Sequence, residues 1–215
     1  MIQILSTSEA IEHMNEYGFK RIPFLFIIDF LANAPVVVPL SQIYDEELLY
    51  NFNGQTNDNT TNPKSLQLFR FNKSPLPLPD YQTKFDYVVN QLKRGNSFLA
   101  NLSVCTKIDT DLDLKTIFTN SQAKYRLWWR DKFVCFSPEI FVQVHNNRIA
   151  SFPMKGTIDA SLPYASHTIL KDVKEAAEHA TIVDLIRNDL SIVADKVWVE
   201  RYRYLDNLTT NQKTL

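Results

Sequence analysis

The stretch from Tyr125 to Phe152 restricts the fold more than any other part of the chain. YRLWW, FVCF, IFVQVH and RIASF are short apolar runs rich in aromatic and β-branched residues, separated by RDK, SPE and NN. Each run is too short for a stable helix and each break carries turn-forming residues, so the stretch predicts four strands in an antiparallel meander. Trp128 and Trp129 are neighbours and must alternate faces of their strand, so core packing accounts for at least one of them.

Around this centre the pattern is mixed. FLFIIDF (Phe24 to Phe30) and PVVVPL (Pro35 to Leu40) predict a strand pair. NFNGQTNDNTTNPK (Asn51 to Lys64) is almost wholly polar and predicts a mobile surface loop. FRFNKSPLPLPD is an extended connector, and DYQTKFDYVVNQLKRGN then carries Phe85, Val88, Val89 and Leu92 at helical spacing with Gly95 placed to cap the helix. A strand is expected from Phe98 to Thr106. TILKDVKEAAEHATIVDLIRND, free of proline and glycine, predicts one long helix with Leu170, Val173, Ala177 and Ala180 on a stripe, and KVWVERYRYLDNL returns to strand-like residues. Strands with helices gathered to one side indicate an α+β fold of antiparallel sheets flanked by helices. A single domain over residues 1–215 is the expectation, with strands and a mobile loop in 1–80 and the chemistry-bearing part in 81–215.

Charge excludes some partners. The 23 basic and 24 acidic residues give a net charge of -1 with no dense block of either sign, so no field is available to hold nucleic acid or an anionic membrane. No apolar run approaches the ~20 residues that a membrane helix needs. Two cysteines, Cys105 and Cys135, and an N-terminus unlike a signal peptide suggest a reduced, cytoplasmic protein. The alternating Asp109, Asp111 and Asp113 resemble the start of a calcium loop, but Leu114 and Asn120 stand where its glycine and glutamate belong. Asp111 or Asp113 is better read as the cap of a short helix.

The chemistry centres on PMKGT (Pro153 to Thr157). If the chain turns at Asn146-Asn147, residues whose numbers sum to 293 face each other, which sets Glu139 opposite Met154 and beside Lys155. Each of these two charged residues follows or nears a proline that fixes its backbone. The pair is then either a surface salt bridge, worth ~0–1 kcal/mol, or a nucleophile with its acid/base.

SPEIF (Ser137 to Phe141), PMKGT and EHATIVDLIRND (Glu178 to Asp189) resemble, in order and spacing, motifs of the chorismate-utilising enzymes. Within them the resemblance is closest to component I proteins of aminodeoxychorismate synthase, and with a weaker match at NLS (Asn101 to Ser103) it spans roughly Phe85 to Leu205. The resemblance implies a reaction at chorismate. Lys155 would attack C2 and displace the 4-hydroxyl, ammonia would add at C4, and the lysine would leave, giving 4-amino-4-deoxychorismate for p-aminobenzoate and folate biosynthesis. A lysine attacks only as the free amine, so Glu139 is implied as the acid/base that moves the proton. Gly156, Thr157 and Ser103 are implied in substrate binding. Glu178 is implied as a ligand of Mg2+, although a helical glutamate is as readily a solvated or paired side chain. Asp184, Arg187, Asn188 and Asp189 are implied as structural support, since their spacing brings Asp184 within reach of Arg187 and Asn188. His179 reads as a helix-face histidine.

Two further comparisons within the family matter. Anthranilate synthases usually carry alanine at the position of Lys155 and aminate C2 directly, which leaves 2-amination as the alternative. Isochorismate- and salicylate-forming members use a lysine base where this chain has Leu99, which cannot activate water. The implied partners are chorismate and a glutamine amidotransferase that delivers ammonia. Relatives continue past the position of Leu215 with a glycine-rich loop and an E-x-x-E pair for the metal, so this chain is expected to carry part of the domain. Its strand edges would then be open to self-association, and a catalytically silent domain is the non-enzyme alternative.

Overall fold

The structure is a computed structural model that describes residues 2–59, 68–209 and 213–215. The fold is α+β, as the pattern of runs predicts, and the chain divides into two compact units. The first comprises Met1–Leu48, Asn59–Ser121 and Trp128–Val134, and the second Leu49–Asp58, Gln122–Leu127 and Cys135–Leu215.

In the first unit a helix that the apolar pattern alone does not reveal, α1 (Thr7–Phe19), begins at a capping box. The Ser6 side chain accepts from the Glu9 N–H while the Glu9 carboxylate accepts from the Ser6 N–H. Its inner face packs Ala10, Met14 and Tyr17 against Leu5, Phe24 and Val37. The expected strand pair is present as β1 (Phe24–Ile27) and β2 (Val36–Pro39), antiparallel with Phe24 opposite Pro39. The link between them is tied by Asp29, whose carboxylate accepts from the N–H groups of Leu31 (3.2 Å) and Ala34 (2.7 Å).

Leu48–Phe52 (β3) and Gln55–Thr56 (β4) form a hairpin that enters the segment expected to be a loop, so that expectation is corrected for Asn51 to Thr56, while Asn57 to Asn59 form no element. The reason is local: Asn53 (φ 54°) and Gly54 (φ 95°) accept the left-handed turn that joins twisted strands tightly. The rest of that segment, Thr60 to Lys64, lies outside the described residues. After β5 (Phe71–Ser74), α2 (Leu78–Lys93) starts inside the proline-rich connector, because proline is tolerated in a first helical turn where no N–H bond is lost. Gly95 (φ 77°) ends it as expected, its N–H bonding Leu92 O.

The strand expected from Phe98 to Thr106 does not form. That stretch is largely exposed and without a ladder partner among the described residues, and the strand that does form, β6 (Lys107–Thr110), pairs with β5. Each aspartate of the false calcium loop has another use. Asp109 pairs with Arg70 (3.3 Å), Asp111 accepts from the Arg70 N–H (3.0 Å), and Asp113 caps α3 (Leu114–Asn120) by accepting from the Thr116 N–H (2.7 Å).

The four predicted strands all appear: β7 (Tyr125–Trp129), β8 (Phe133–Ser137), β9 (Gln143–His145) and β10 (Arg148–Ala150). They are not one meander. One sheet has the order β4-β3-β7-β8, while β9 and β10 form a separate two-stranded ribbon, because Pro138 has no N–H to continue the ladder past Ser137. Trp128 is buried and Trp129 half-buried, so the first of the pair is a core residue as expected.

The predicted long helix is two. Asp172 leaves helical geometry (ψ 117°) and caps the second by accepting from the Glu175 N–H (3.0 Å), which divides α4 (Ala165–Lys171) from α5 (Val173–Ser191). The run from Lys196 to Leu208 forms no strand.

Candidate active site

The site lies wholly in the second unit. Asn146 (φ 50°) and Asn147 (φ 56°) form the left-handed turn between β9 and β10, and Arg148 faces His145, Ile149 faces Val144 and Ala150 faces Gln143. The register is the expected one, with facing numbers summing to 293. Beyond the last ladder pair the two chains stay together, and Glu139 Oε1 accepts from the Met154 N–H at 2.7 Å. Ser137 secures the glutamate from its own side: its Oγ accepts from the Glu139 N–H (3.0 Å) and donates to the Glu139 carbonyl (2.9 Å).

Glu139, Lys155, Gly156 and Thr157 line one cavity of about 480 Å³. Four of the sequence-derived site residues are thus brought together. Lys155 makes no ion pair among the described residues. Gly156 has φ 70°, and a Cβ built on it would stand 2.9 Å from Glu175 Oε2. The glycine of PMKGT therefore answers two demands, a left-handed backbone and a carboxylate pressed against the turn.

That carboxylate was not singled out from sequence. Glu175 occupies the first turn of α5 and lines the cavity, and His179, one helical turn on, lines it too. His179 is therefore more than a helix-face residue. Burial pushes its imidazole below the usual range, with the nearby Arg203 charge acting in the same direction, and its ring meets Tyr202 edge-on at 5.3 Å. The i, i+4 spacing of Glu175 and His179 could have revealed their shared face. Nothing periodic in RYRY marks Arg203, which enters the cavity through a backbone turn at φ 52°.

The remaining sequence-derived residues are not among those that line this cavity. Ser103 belongs to the first unit, where its Oγ donates to Asn101 Oδ1 at 3.3 Å. Glu178 does not line the cavity: its carboxylate pairs with the Lys174 ammonium at 3.1 Å, and Lys174 also reaches Glu175 at 3.5 Å. The two carboxylates, Glu178 foremost, raise the Lys174 pKa. No group of three His, Cys, Asp or Glu side chains able to hold a metal ion occurs among the described residues. A hard divalent cation seeks six or more oxygens, and a single glutamate already neutralised by a lysine does not fit one. On α5 Asp184 pairs with Arg187 at 3.6 Å, as the spacing allows, while the Asn188 carbonyl accepts from Ser191 Oγ (2.6 Å) and the Asp189 carbonyl from the Ile192 N–H (3.2 Å).

Among the described residues no helix is long and apolar enough to cross a membrane, and both cysteines are free.

The chain resembles known proteins over most of its length. The chorismate binding enzyme family matches residues 36–212. An uncharacterized PabA-like protein of Pasteurella multocida is 44% identical over 208 residues, covering 97% of this chain and 64% of its own length. A second PabA-like protein, of Haemophilus influenzae, is 45% identical over 202 residues, with 94% and 61% covered. An anthranilate synthase component I-like protein of Synechocystis is 30% identical over 196 residues, with 79% of this chain and 40% of that protein covered. The chain spans about three-fifths of the length of the two PabA-like relatives. No solved structure matches it. With the family match running over residues 36–212, most of its length, the chain belongs to the chorismate binding enzyme family.

Proposed function

We propose that this chain is the catalytic part of an aminodeoxychorismate synthase component I, which aminates chorismate at C4. The observation that carries the reading is the Glu139 carboxylate bonded to the Met154 N–H (2.7 Å), one residue from Lys155, with both side chains lining a single cavity. Glu139 takes the proton that Lys155 Nζ must lose, the free amine attacks C2 as the ring double bonds shift, and the 4-hydroxyl leaves as water with that proton. Ammonia then adds at C4, the double bonds shift back, the C2–N bond to Lys155 breaks, and the lysine departs. A glutamine amidotransferase would supply the ammonia, and free thiols suit a reducing cytoplasm. A magnesium ion would draw on Glu178 only after displacing Lys174.

The likeness to an anthranilate synthase component I-like protein favours a second reading, direct 2-amination. Lys155 separates the two, since that reaction needs no lysine nucleophile. The test supplies chorismate and ammonium to the chain and identifies the product by chromatography. Aminodeoxychorismate from the wild type, lost in Lys155→Ala, supports the proposal. Full 4-amination by Lys155→Ala rejects the nucleophile, and anthranilate from the wild type rejects C4 as the site.

A further inference from the structure

Five arginines belong to the second unit, and four have an electrostatic partner. Arg126 reaches Asp58 (3.9 Å), Arg187 reaches Asp184 (3.6 Å), and Arg148 and Arg201 lie over the rings of Trp198 (5.7 Å) and Tyr204 (4.4 Å). Arg203 has neither a carboxylate nor a ring among the described residues. It is half-buried, lines the same cavity as Lys155, and donates from one Nη to the Ile169 carbonyl at 3.2 Å, in the last turn of α4.

A guanidinium in that position could be only a tie to the end of a helix. The tie uses one of five N–H donors and leaves the charge without a counter-ion among the described residues. A half-buried charge without a counter-ion is a cost that an anionic ligand would remove. Lys124, the other long cation of the cavity wall, is already paired with Asp206 at 4.0 Å. Among the described residues, Arg203 and Lys155 are therefore the two cavity cations without a carboxylate. The backbone of Arg203 is held at φ 52°, a conformation that costs a non-glycine residue about 1–2 kcal/mol, and the helix-end bond fixes the direction of its fork.

We infer that Arg203 binds a carboxylate group of the small dianionic substrate, clamping it through the guanidinium donors that the Ile169 bond leaves free. The inference rests on the proposed chorismate reaction for the identity of the substrate, while its chemistry requires only a compact dicarboxylate. Arginine suits this role because its planar fork matches a carboxylate in two parallel bonds. Arg203 also brings specificity: a ligand with two carboxylates gains over one with a single carboxylate only while this charge is present.

Titration calorimetry on the whole chain, with chorismate, benzene-1,3-dicarboxylate and benzoate as probes, tests the inference. The variants are Arg203→Asn, which suits a left-handed backbone and removes the charge, and Arg203→Lys, which keeps it. Wild type should bind the two dicarboxylates at least about tenfold more tightly than benzoate. Arg203→Asn should lose that preference, and Arg203→Lys should retain part of it. An unchanged preference in Arg203→Asn, or no dicarboxylate binding by the wild type, overturns the inference. The two readings fail separately: dicarboxylate preference without any amination leaves Arg203 standing and removes the proposed reaction. Amination with the same chorismate KM in Arg203→Asn does the reverse.

Discussion

Gly156→Ala should destabilise the second unit by about 2 kcal/mol, for reasons that can be taken apart. The backbone at φ 70° costs an alanine about 1–2 kcal/mol. The new methyl would also stand 2.9 Å from Glu175 Oε2, so that carboxylate would have to swing away from the turn and give up its 3.5 Å contact with Lys174. Relieving such an overlap costs about 1 kcal/mol more. Alanine narrows the unfolded ensemble and returns about 0.5 kcal/mol. Urea unfolding followed by circular dichroism, with a slope near 2 kcal/mol/M, should place the midpoint about 1 M lower. In a Glu175→Ala background the steric part vanishes and the strain remains, so the same glycine change should cost only about 1 kcal/mol. A cost below about 0.5 kcal/mol, or the same cost in both backgrounds, would refute the account of why this motif carries glycine.

Glu139→Gln keeps an acceptor for the Met154 N–H but removes the acid/base, so product formation should fail with stability nearly unchanged, whereas Glu139→Ala should also lose about 1 kcal/mol in urea unfolding. Asp113→Ala should cost about 1 kcal/mol through loss of the α3 cap. The hydrogen bond from the Thr116 N–H holds the Asp113 carboxyl below its usual value, so its contribution is complete above about pH 4, the unfolded value, and disappears as pH falls through the lower folded value. Acid unfolding of Asp113→Asn should lack that component. Burial pushes the Cys135 thiol up, so its alkylation by iodoacetamide, followed by peptide mass, should reach half its maximal rate above the pH of an ordinary thiol; half-maximal reaction at or below that pH would contradict it.

Local rules in the sequence foretold those parts of the fold that are decided locally. The β9–β10 register followed from two asparagines that accept a left-handed turn, and with it the approach of Glu139 to Met154. The end of α2 followed from Gly95, and the start of α3 was narrowed to Asp111 or Asp113, of which Asp113 is the cap. Two other local signals were present but outweighed by polarity and length: Asn53-Gly54, which makes a hairpin of a polar stretch, and Asp172, which divides a proline-free run into two helices. The run from Phe98 to Thr106 has strand-like residues but no partner strand among the described residues, and pairing is decided by the rest of the chain. The site shows the same division. Lys155, Glu139, Gly156 and Thr157 are neighbours along one hairpin and were legible, while Glu175, His179 and Arg203 reach the cavity from α5 and from the segment after it. No spacing rule links those segments to PMKGT.

The most direct test of the central claim is the intact mass of the protein after incubation with chorismate in the absence of ammonia. A covalent adduct equal to chorismate less one water, located on the peptide that contains Lys155 and absent from Lys155→Ala, is the result the account predicts. Formation of the 4-amino product on adding ammonium, with no adduct detectable beforehand or with the adduct on another residue, would contradict it.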